Sequence, residues 1–380
     1  MNSKQRVYAT LEGKPVDRMP VAALYSQLYH EDHFAELTGL PQWDQFRWKY
    51  ASPEEHLAVF RRIQAAAPFE LLQPQGAPSR EARENVDYVV RDGVPYLHDK
   101  RGDTWESLLS VSGHTRDYQA NETQFVFDRK DIDERLRVRK AEDLIASGMN
   151  DYIQAIAGAY GQDYFILSGG VIGTIYSAGA YVGQTNLFAM LIQQPELIDY
   201  LCHKILEQNI EVIRALAASG GDGIYIDDAT ATSDMISVAH YERFSLPYMI
   251  EMVREIHRLG QKAIVIYFGG VMDRLDQLAA IGADALSAET SMKGFVNDIG
   301  EMAQRIGSRV SLFANIDPVG VIEKATDDDL AAEIRRQVAA GREARGFFIS
   351  PASPITPRTP LSRVQRFIEL ARQIGTTPES

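Results

Sequence analysis

The sequence predicts an α/β protein, a single (β/α)8 TIM barrel with an N-terminal helical and β-hairpin elaboration. Three observations predict it. The run Gly221-Asp222-Gly223-Ile224-Tyr225-Ile226-Asp227-Asp228 reads as a tight turn, an apolar strand and an acidic tip. The same unit returns at Gly282-Ala283-Asp284-Ala285-Leu286-Ser287-Ala288-Glu289, and a strand over 263–267, tipped by Phe268-Gly269-Gly270, lies between them. From about residue 140 onward, apolar strand patterns alternate with helical ones, the rhythm of a parallel sheet with right-handed crossovers. In such barrels the C-terminal strand tips carry the chemistry.

The elements follow in order. An amphipathic helix over 3–11 stops at Glu12-Gly13-Lys14-Pro15, and Asp17-Arg18-Met19-Pro20-Val21-Ala22 enters a first strand. Residues 30–80 read as helical and polar with aromatic punctuation. Residues 86–128 alternate in period two, with turns at Arg91-Asp92-Gly93 and Lys100-Arg101-Gly102-Asp103, so hairpins are expected to be inserted at 85–130. Strands are expected at 164–168, 223–227, 263–267, 285–288, 310–314 and 346–350. Helices are expected at 185–219, 238–259, 271–281, 296–306, 328–343 and 361–374. One barrel would span 1–375, followed by a frayed tail at 376–380.

Composition narrows the function. The 380 residues carry 39 Lys and Arg against 52 Asp and Glu, a net charge of −13, which argues against a nucleic-acid partner. No apolar run reaches the roughly 18 residues that span a membrane, and the polar start lacks a signal-peptide core, so a cytoplasmic protein is expected. The single cysteine, Cys202, leaves no disulfide framework and no cysteine-rich metal site; on its helix it reads as a packed apolar thiol.

Several side chains can carry chemistry at a barrel mouth. Asp227 and Asp228 end one strand, and alternation points them to opposite sides; one can equally cap the next loop. Glu289 ends the next strand but one, with a salt bridge as its structural alternative. Tyr267 can contact a leaving oxygen or be a rim residue. Asn315 and Asp317 follow a strand, where Asn-Ile-Asp-Pro also has turn chemistry of its own. Tyr25 and Tyr176 suit the walls of a planar-substrate site or the core. His114 lies in a loop between hairpins, and His240 begins a helix past the Asp228 loop. Gly169, Gly170 and Gly173 form a Gly-rich turn without dinucleotide or Walker spacing.

Five motifs in order resemble the uroporphyrinogen decarboxylase superfamily over nearly the whole chain. They are Pro15 to Val21, Asp99 to Trp105, Gly169 to Thr174, Ala314-Asn315-Ile316-Asp317-Pro318, and Gly346 to Pro360. The resemblance implies the (β/α)8 barrel and a homodimer. Departures narrow it. The decarboxylases' arginine-rich N-terminal loop corresponds to Ala22 to His30, which has no arginine, and the catalytic aspartate's place near Phe69 to Gln73 holds none. In the superfamily's thiol methyltransferases zinc is held by His-x-Cys and a later cysteine. Those positions correspond to Tyr267-Phe268-Gly269 and to Ala352-Ser353.

What remains resembles the methyltransferases that move a methyl group from a small methoxylated or methylated substrate to a corrinoid. The expectation is therefore a corrinoid-dependent methyltransferase of the O-demethylase type. Asp228, matching the family's strand-tip aspartate, Glu289 and Tyr267 would be catalytic. Asp227, Asn315, Tyr176, Tyr25, His114 and Arg358 would bind substrate. Because some members hold zinc with carboxylates and histidine, Asp228, Glu289 and His240 are the metal candidates. No corrinoid-binding Asp-x-His-x-x-Gly stands in the chain, so a carrier protein would present the corrinoid. Two rival functions are a cofactor-free decarboxylase of a small acid, using Arg358, Arg345 and Arg18, and a non-catalytic binding barrel.

Overall fold

The computed structural model describes residues 1–108, 128–291 and 294–376. Its strands are β1 (Leu71–Leu72), β2 (Val86–Arg91), β3 (Val94–Asp99), β4 (Thr104–Ser107), β5 (Phe165–Ile172), β6 (Gly223–Asp227), β7 (Lys262–Tyr267), β8 (Ala285–Ala288), β9 (Ser311–Phe313) and β10 (Phe347–Phe348). Seven form a parallel sheet in the order β1-β5-β6-β7-β8-β9-β10. Val21 joins its two edges. It pairs in parallel with Ile349, and its carbonyl accepts from the Glu70 amide at 3.0 Å, just before β1. The ring is thus a (β/α)8 barrel whose first position is a single bridging residue. The full strand expected over 17–22 does not form, because Pro20 has no N–H to give a ladder.

Alternation along the strands sorts side chains into two layers. Leu71, Phe165, Leu167, Ile264, Ile266, Ala285, Phe313 and Phe348 fill the barrel interior. Ile224, Ile226, Val265, Leu286 and Leu312 face the surrounding helices. The helix Ser3–Leu11 lies at the N-terminal end of the ring, where its Val7 and Leu11 join the interior cluster. An Asn2–Gln5 capping box starts that helix. The opposite end is therefore the open one.

Three expectations change. Residues 30–80 are not all helical, since β1 lies among them; two residues are too few to show an alternating pattern. The helix expected over 185–219 is Gln184–Gln193 followed by Pro195–Ala217, with Thr174–Val182 before it. Gly183, at φ 83°, and Pro195 make the breaks. The 238–259 helix is likewise split into Val238–Phe244 and Leu246–Arg258, with Pro247 opening the second.

Over the described part of 85–130, β2, β3 and β4 pair as antiparallel hairpins. β2 and β3 pair antiparallel through Asp92-Gly93, both at positive φ, the two-residue turn that matches strand twist. The rest of the hairpin segment expected over 85–130, with His114, falls at 109–127, outside the described residues. Thr376 bridges Arg18. No helix among the described residues is long and apolar enough to cross a membrane. Cys202 is fully buried, and burial pushes its thiol up.

Candidate active site

The tip of β6 sends its two aspartates to opposite sides of the sheet. Tyr225 packs against the interior cluster, so Asp227, two residues on, shares its face at the mouth. Asp228 turns to the helix layer and is fully buried there. The sequence-based preference for Asp228 as the mouth residue is thus reversed by strand parity.

Around Asp227 the mouth is aromatic. The Tyr25 hydroxyl donates to Asp227 Oδ2 at 2.5 Å, while Asp227 Oδ1 is buried without a hydrogen-bond partner among the described residues. The Tyr25 ring meets those of Tyr225 and Phe268 edge-on, with centroids 5.6 and 5.4 Å away. Burial raises the Asp227 carboxyl above its ordinary range, against the Tyr25 hydroxyl and the Ala229 amide, which favour the ionised form. Burial and the Asp227 charge push the Tyr25 phenol far above its usual value, so it stays neutral and donates. Burial also pushes Tyr225 up, to about 12.

Tyr25 sits at φ 56°, a left-handed conformation that costs a tyrosine about 1–2 kcal/mol. Gln73, just past β1, holds it there: its Oε1 accepts from the Tyr25 amide at 2.6 Å. Gln73 lies in the Phe69 to Gln73 segment that corresponds to the place of the decarboxylases' aspartate. A cavity of about 400 Å³ opens beside this group, lined by Gln73, Gln27, Ser168, Gly170 and Tyr225 among others. The Gly-rich turn is explained by close approach rather than by phosphate. A Cβ on Gly170 would lie 2.3 Å from the Tyr225 ring, and one on Gly173 would lie 2.2 Å from Asp228 Oδ1.

Behind the mouth lies a second polar group. Ser245 donates to Asp228 Oδ2, and the Tyr241 and Tyr267 hydroxyls share a hydrogen bond of 3.0 Å. Tyr267 is fully buried in the helix layer with its phenol pushed well up, first by burial and then by the Tyr241 and Asp228 charges. It is therefore not at the mouth, where a leaving-group contact requires it. Arg274, also fully buried, donates to the Ala231 and Ile236 carbonyls at 3.0 and 2.7 Å and so clamps the loop after β6.

Burial first, and then the Asp227 charge, raises Asp228 to about 7, against the Ser245 hydrogen bond and the Arg274 charge. A folded-state value above the unfolded one of about 3.9 means the protonated carboxyl stabilises the fold. That stability is fully present below about pH 4 and is lost as pH rises to about 7, at no more than about 1.4 kcal/mol per pH unit. Asp228→Asn is expected to remove this loss, so thermal melts should show its gain over the parent growing from pH 5 to pH 8. An equal gain at both values would contradict the assignment.

The remaining candidates scatter. Glu289 continues the inward phase of Ala285 and Ser287 and is 9% exposed. The Asn297 and Asn315 amides donate to its carbonyl at 2.9 and 3.4 Å. Asn315 also donates to the Asn297 carbonyl, so its amide joins loops rather than facing the mouth. Asp317 caps its own turn by accepting from the Val319 and Gly320 amides. Tyr176 comes near enough to Tyr25 for their charges to interact. His240 begins the helix Val238–Phe244, with its ring beside Phe244. Arg358 is exposed in the exit loop. Arg18 and Arg345 bond Glu70 Oε2 and the Leu11 carbonyl, at the end opposite the mouth.

The metal candidates are not assembled. Asp228 and Glu289 face opposite sides of the sheet, and among the described residues no three His, Cys, Asp or Glu side chains could hold an ion. At the later zinc position Ser353 donates to the Leu24 carbonyl. The residues present do not fit a zinc site of the thiol-methyltransferase kind.

Sequence parity could have found Tyr225 and Phe268, which bracket the acidic tip at inward positions. Nothing local marked Gln73, Ser245 or Arg274.

Comparisons with known proteins agree with this architecture. The chain is 23% identical over 369 residues to the methylcobamide:CoM methyltransferase MtbA of Methanosarcina acetivorans, covering 97% of each. It is 30% identical over 192 residues to a uroporphyrinogen decarboxylase of Pseudomonas syringae, covering 49% of this chain and 51% of that one. The chain thus spans about half the length of the decarboxylases it matches. A solved methyltransferase from Methanosarcina mazei shares the fold, with a TM-score of 0.70, 19% identity and 98% of each chain covered. The family model described as uroporphyrinogen decarboxylase (URO-D) matches residues 117–374, and the chain belongs to that family.

Proposed function

We propose that the protein is a methyltransferase that takes a methyl group from a small methylated or methoxylated donor and gives it to a corrinoid. The observation that carries this is the Asp227–Tyr25 pair inside an aromatic mouth, where no Lys or Arg among the described residues pairs with Asp227. Such a mouth suits a compact donor and not a polycarboxylate, which needs clustered arginines. The match to a methylcobamide:CoM methyltransferase along 97% of both chains supports the same reaction class.

The residues fit a corrinoid approaching from outside. Ile172 ends β5, and Met235 and Val296 lie in the loops that follow β6 and β8; all three are exposed apolar side chains. A corrinoid presented there on a carrier protein would supply the nucleophile that accepts the methyl group. Asp227 orients the donor. Tyr25 fixes Asp227, and Gln73 fixes Tyr25. Tyr225 and Phe268 keep water from the methyl group, and Glu289 flanks the site from β8. Asp228, Ser245, Tyr241, Tyr267 and Arg274 hold the tip of β6 and its loop from behind. Preorganised positioning of this kind is where most of the rate is to be gained.

The test is incubation of purified protein with cob(I)alamin and a panel of methylated amines and methoxyarenes, followed by cobalt absorbance. Donor-dependent alkylation above the protein-free rate is expected. No alkylation with any donor, together with CO2 release from carboxylated pyrroles or aromatic acids, would establish a decarboxylase instead.

A further inference from the structure

The mouth also specifies which methylated donor. Three partly exposed rings, Tyr25, Tyr225 and Phe268, stand around one carboxylate at interplanar angles of 64° and 67°. Tyr25 packs edge-on against both other rings, so the three form no parallel slot for a flat molecule. A flat methoxyarene is best held between near-parallel faces, which this arrangement lacks. Asp227, 8% exposed, has Oδ2 tied to Tyr25 and Oδ1 buried without a hydrogen-bond partner among the described residues, with the Ala229 amide the other group that favours its ionised form. A carboxylate oxygen in that state is stabilised by a cation placed against it, and a cation whose surface is methyl groups suits the rings as well.

We propose that the mouth is a binding site for a methylated ammonium cation, a tertiary or quaternary amine, held by the Asp227 carboxylate and the rings of Tyr25, Tyr225 and Phe268. This rests on the methyl-transfer function above and names its substrate class. The cavity of about 400 Å³ beside Tyr225 takes the rest of the donor. Its walls offer Ser168 Oγ and Gln27 Oε1, buried without hydrogen-bond partners among the described residues, and the Lys49–Glu31 ion pair, so that portion carries polar groups.

The chemistry is consistent with the residues. When the methyl leaves such a cation, the C–N bond breaks with both electrons kept on nitrogen. The acceptor's electron pair forms the new bond to carbon, and the amine departs neutral. No proton has to be delivered, and no Lewis acid has to bind the leaving atom. An ether donor needs one or the other, and the phenol nearest the mouth, Tyr25, is held far above its ordinary value by burial and by Asp227, which makes it a weak acid toward a leaving oxygen.

Calorimetric titration tests this without turnover. The probes are choline and its uncharged isostere 3,3-dimethyl-1-butanol, at constant ionic strength. Choline is expected to bind at least tenfold more tightly than the isostere, and Tyr225→Leu is expected to weaken choline about tenfold. Equal binding of the two probes, or binding of neither, overturns the cation site, and this comparison does not depend on any variant folding. The two proposals fail separately. If methoxyarenes alkylate cob(I)alamin while choline does not bind, the cation site is wrong and methyl transfer stands. If choline binds but no donor of either kind is consumed, the cation site stands and methyl transfer is wrong.

Discussion

Asp227→Asn is expected to lower methyl-transfer kcat/KM by about a hundredfold or more while leaving the melting temperature unchanged or slightly raised. The amide keeps the side chain's shape but removes the charge that the Tyr25 hydroxyl and the donor both address. Losing a preorganised electrostatic partner at a reacting site costs roughly 10²–10³ in rate. Stability should not suffer, because a nearly buried carboxylate without a cationic partner is a burden on the fold. The informative control is Asp228→Asn, one residue away. Asp228 lies in the helix layer against Ser245 and near Arg274, so its amide variant should keep activity within about threefold at pH 7 and change mainly stability. Kinetics and melts on both variants decide between the two aspartates. A large activity loss in Asp228→Asn alone would mean that the chemistry lies on the other side of β6.

This contrast shows where sequence and structure part. The acidic tips of β6 and β8 were legible because a Gly turn, an apolar strand and a polar end form a local signal. The crossover order and the Asp-Gly hairpin were legible for the same reason. Which aspartate faces the mouth was not. Parity says that the two differ, but the sense is set by which neighbours fill the barrel, here Tyr225 inward and Ile226 outward. Gln73 was hidden because its role depends on the left-handed turn at Tyr25, 48 positions away along the chain. Tyr267 was misplaced because a family's ligand position was carried over to a side chain that here points at Tyr241. β1 was missed because a strand of Leu71–Leu72 has no periodicity of its own.

The second large effect is expected far from the mouth, in Glu70→Gln. Glu70 is fully buried at the closed end of the barrel. Arg6 donates to its Oε1, while Arg18 and the Val21 amide donate to its Oε2 at 2.5 and 3.0 Å. One carboxylate therefore ties the helix Ser3–Leu11, the bridging residue Val21 and the start of β1 at the point where the ring closes. Glutamine can still accept from Val21 but cannot neutralise two guanidinium groups. Arg6 keeps Asp17, at 2.7 Å, whereas Arg18 loses its only acidic partner among the described residues. Leaving a buried charge uncompensated costs about 3–5 kcal/mol, roughly 4–6 °C in melting temperature for a chain of this size. The effect should reach the mouth as well. Tyr25 lies four residues beyond Val21 on the same segment, and loosening the closure frees the strained tyrosine that holds Asp227. Activity should then fall more steeply than stability predicts as temperature rises, and Val21 and Ala22 should lose amide-exchange protection before the β6–β7 ladder does. A Glu70→Gln protein that melts within about 1 °C of the parent, with unchanged exchange at Val21, would show that the ring is closed by packing alone and that the two arginines contribute nothing to it.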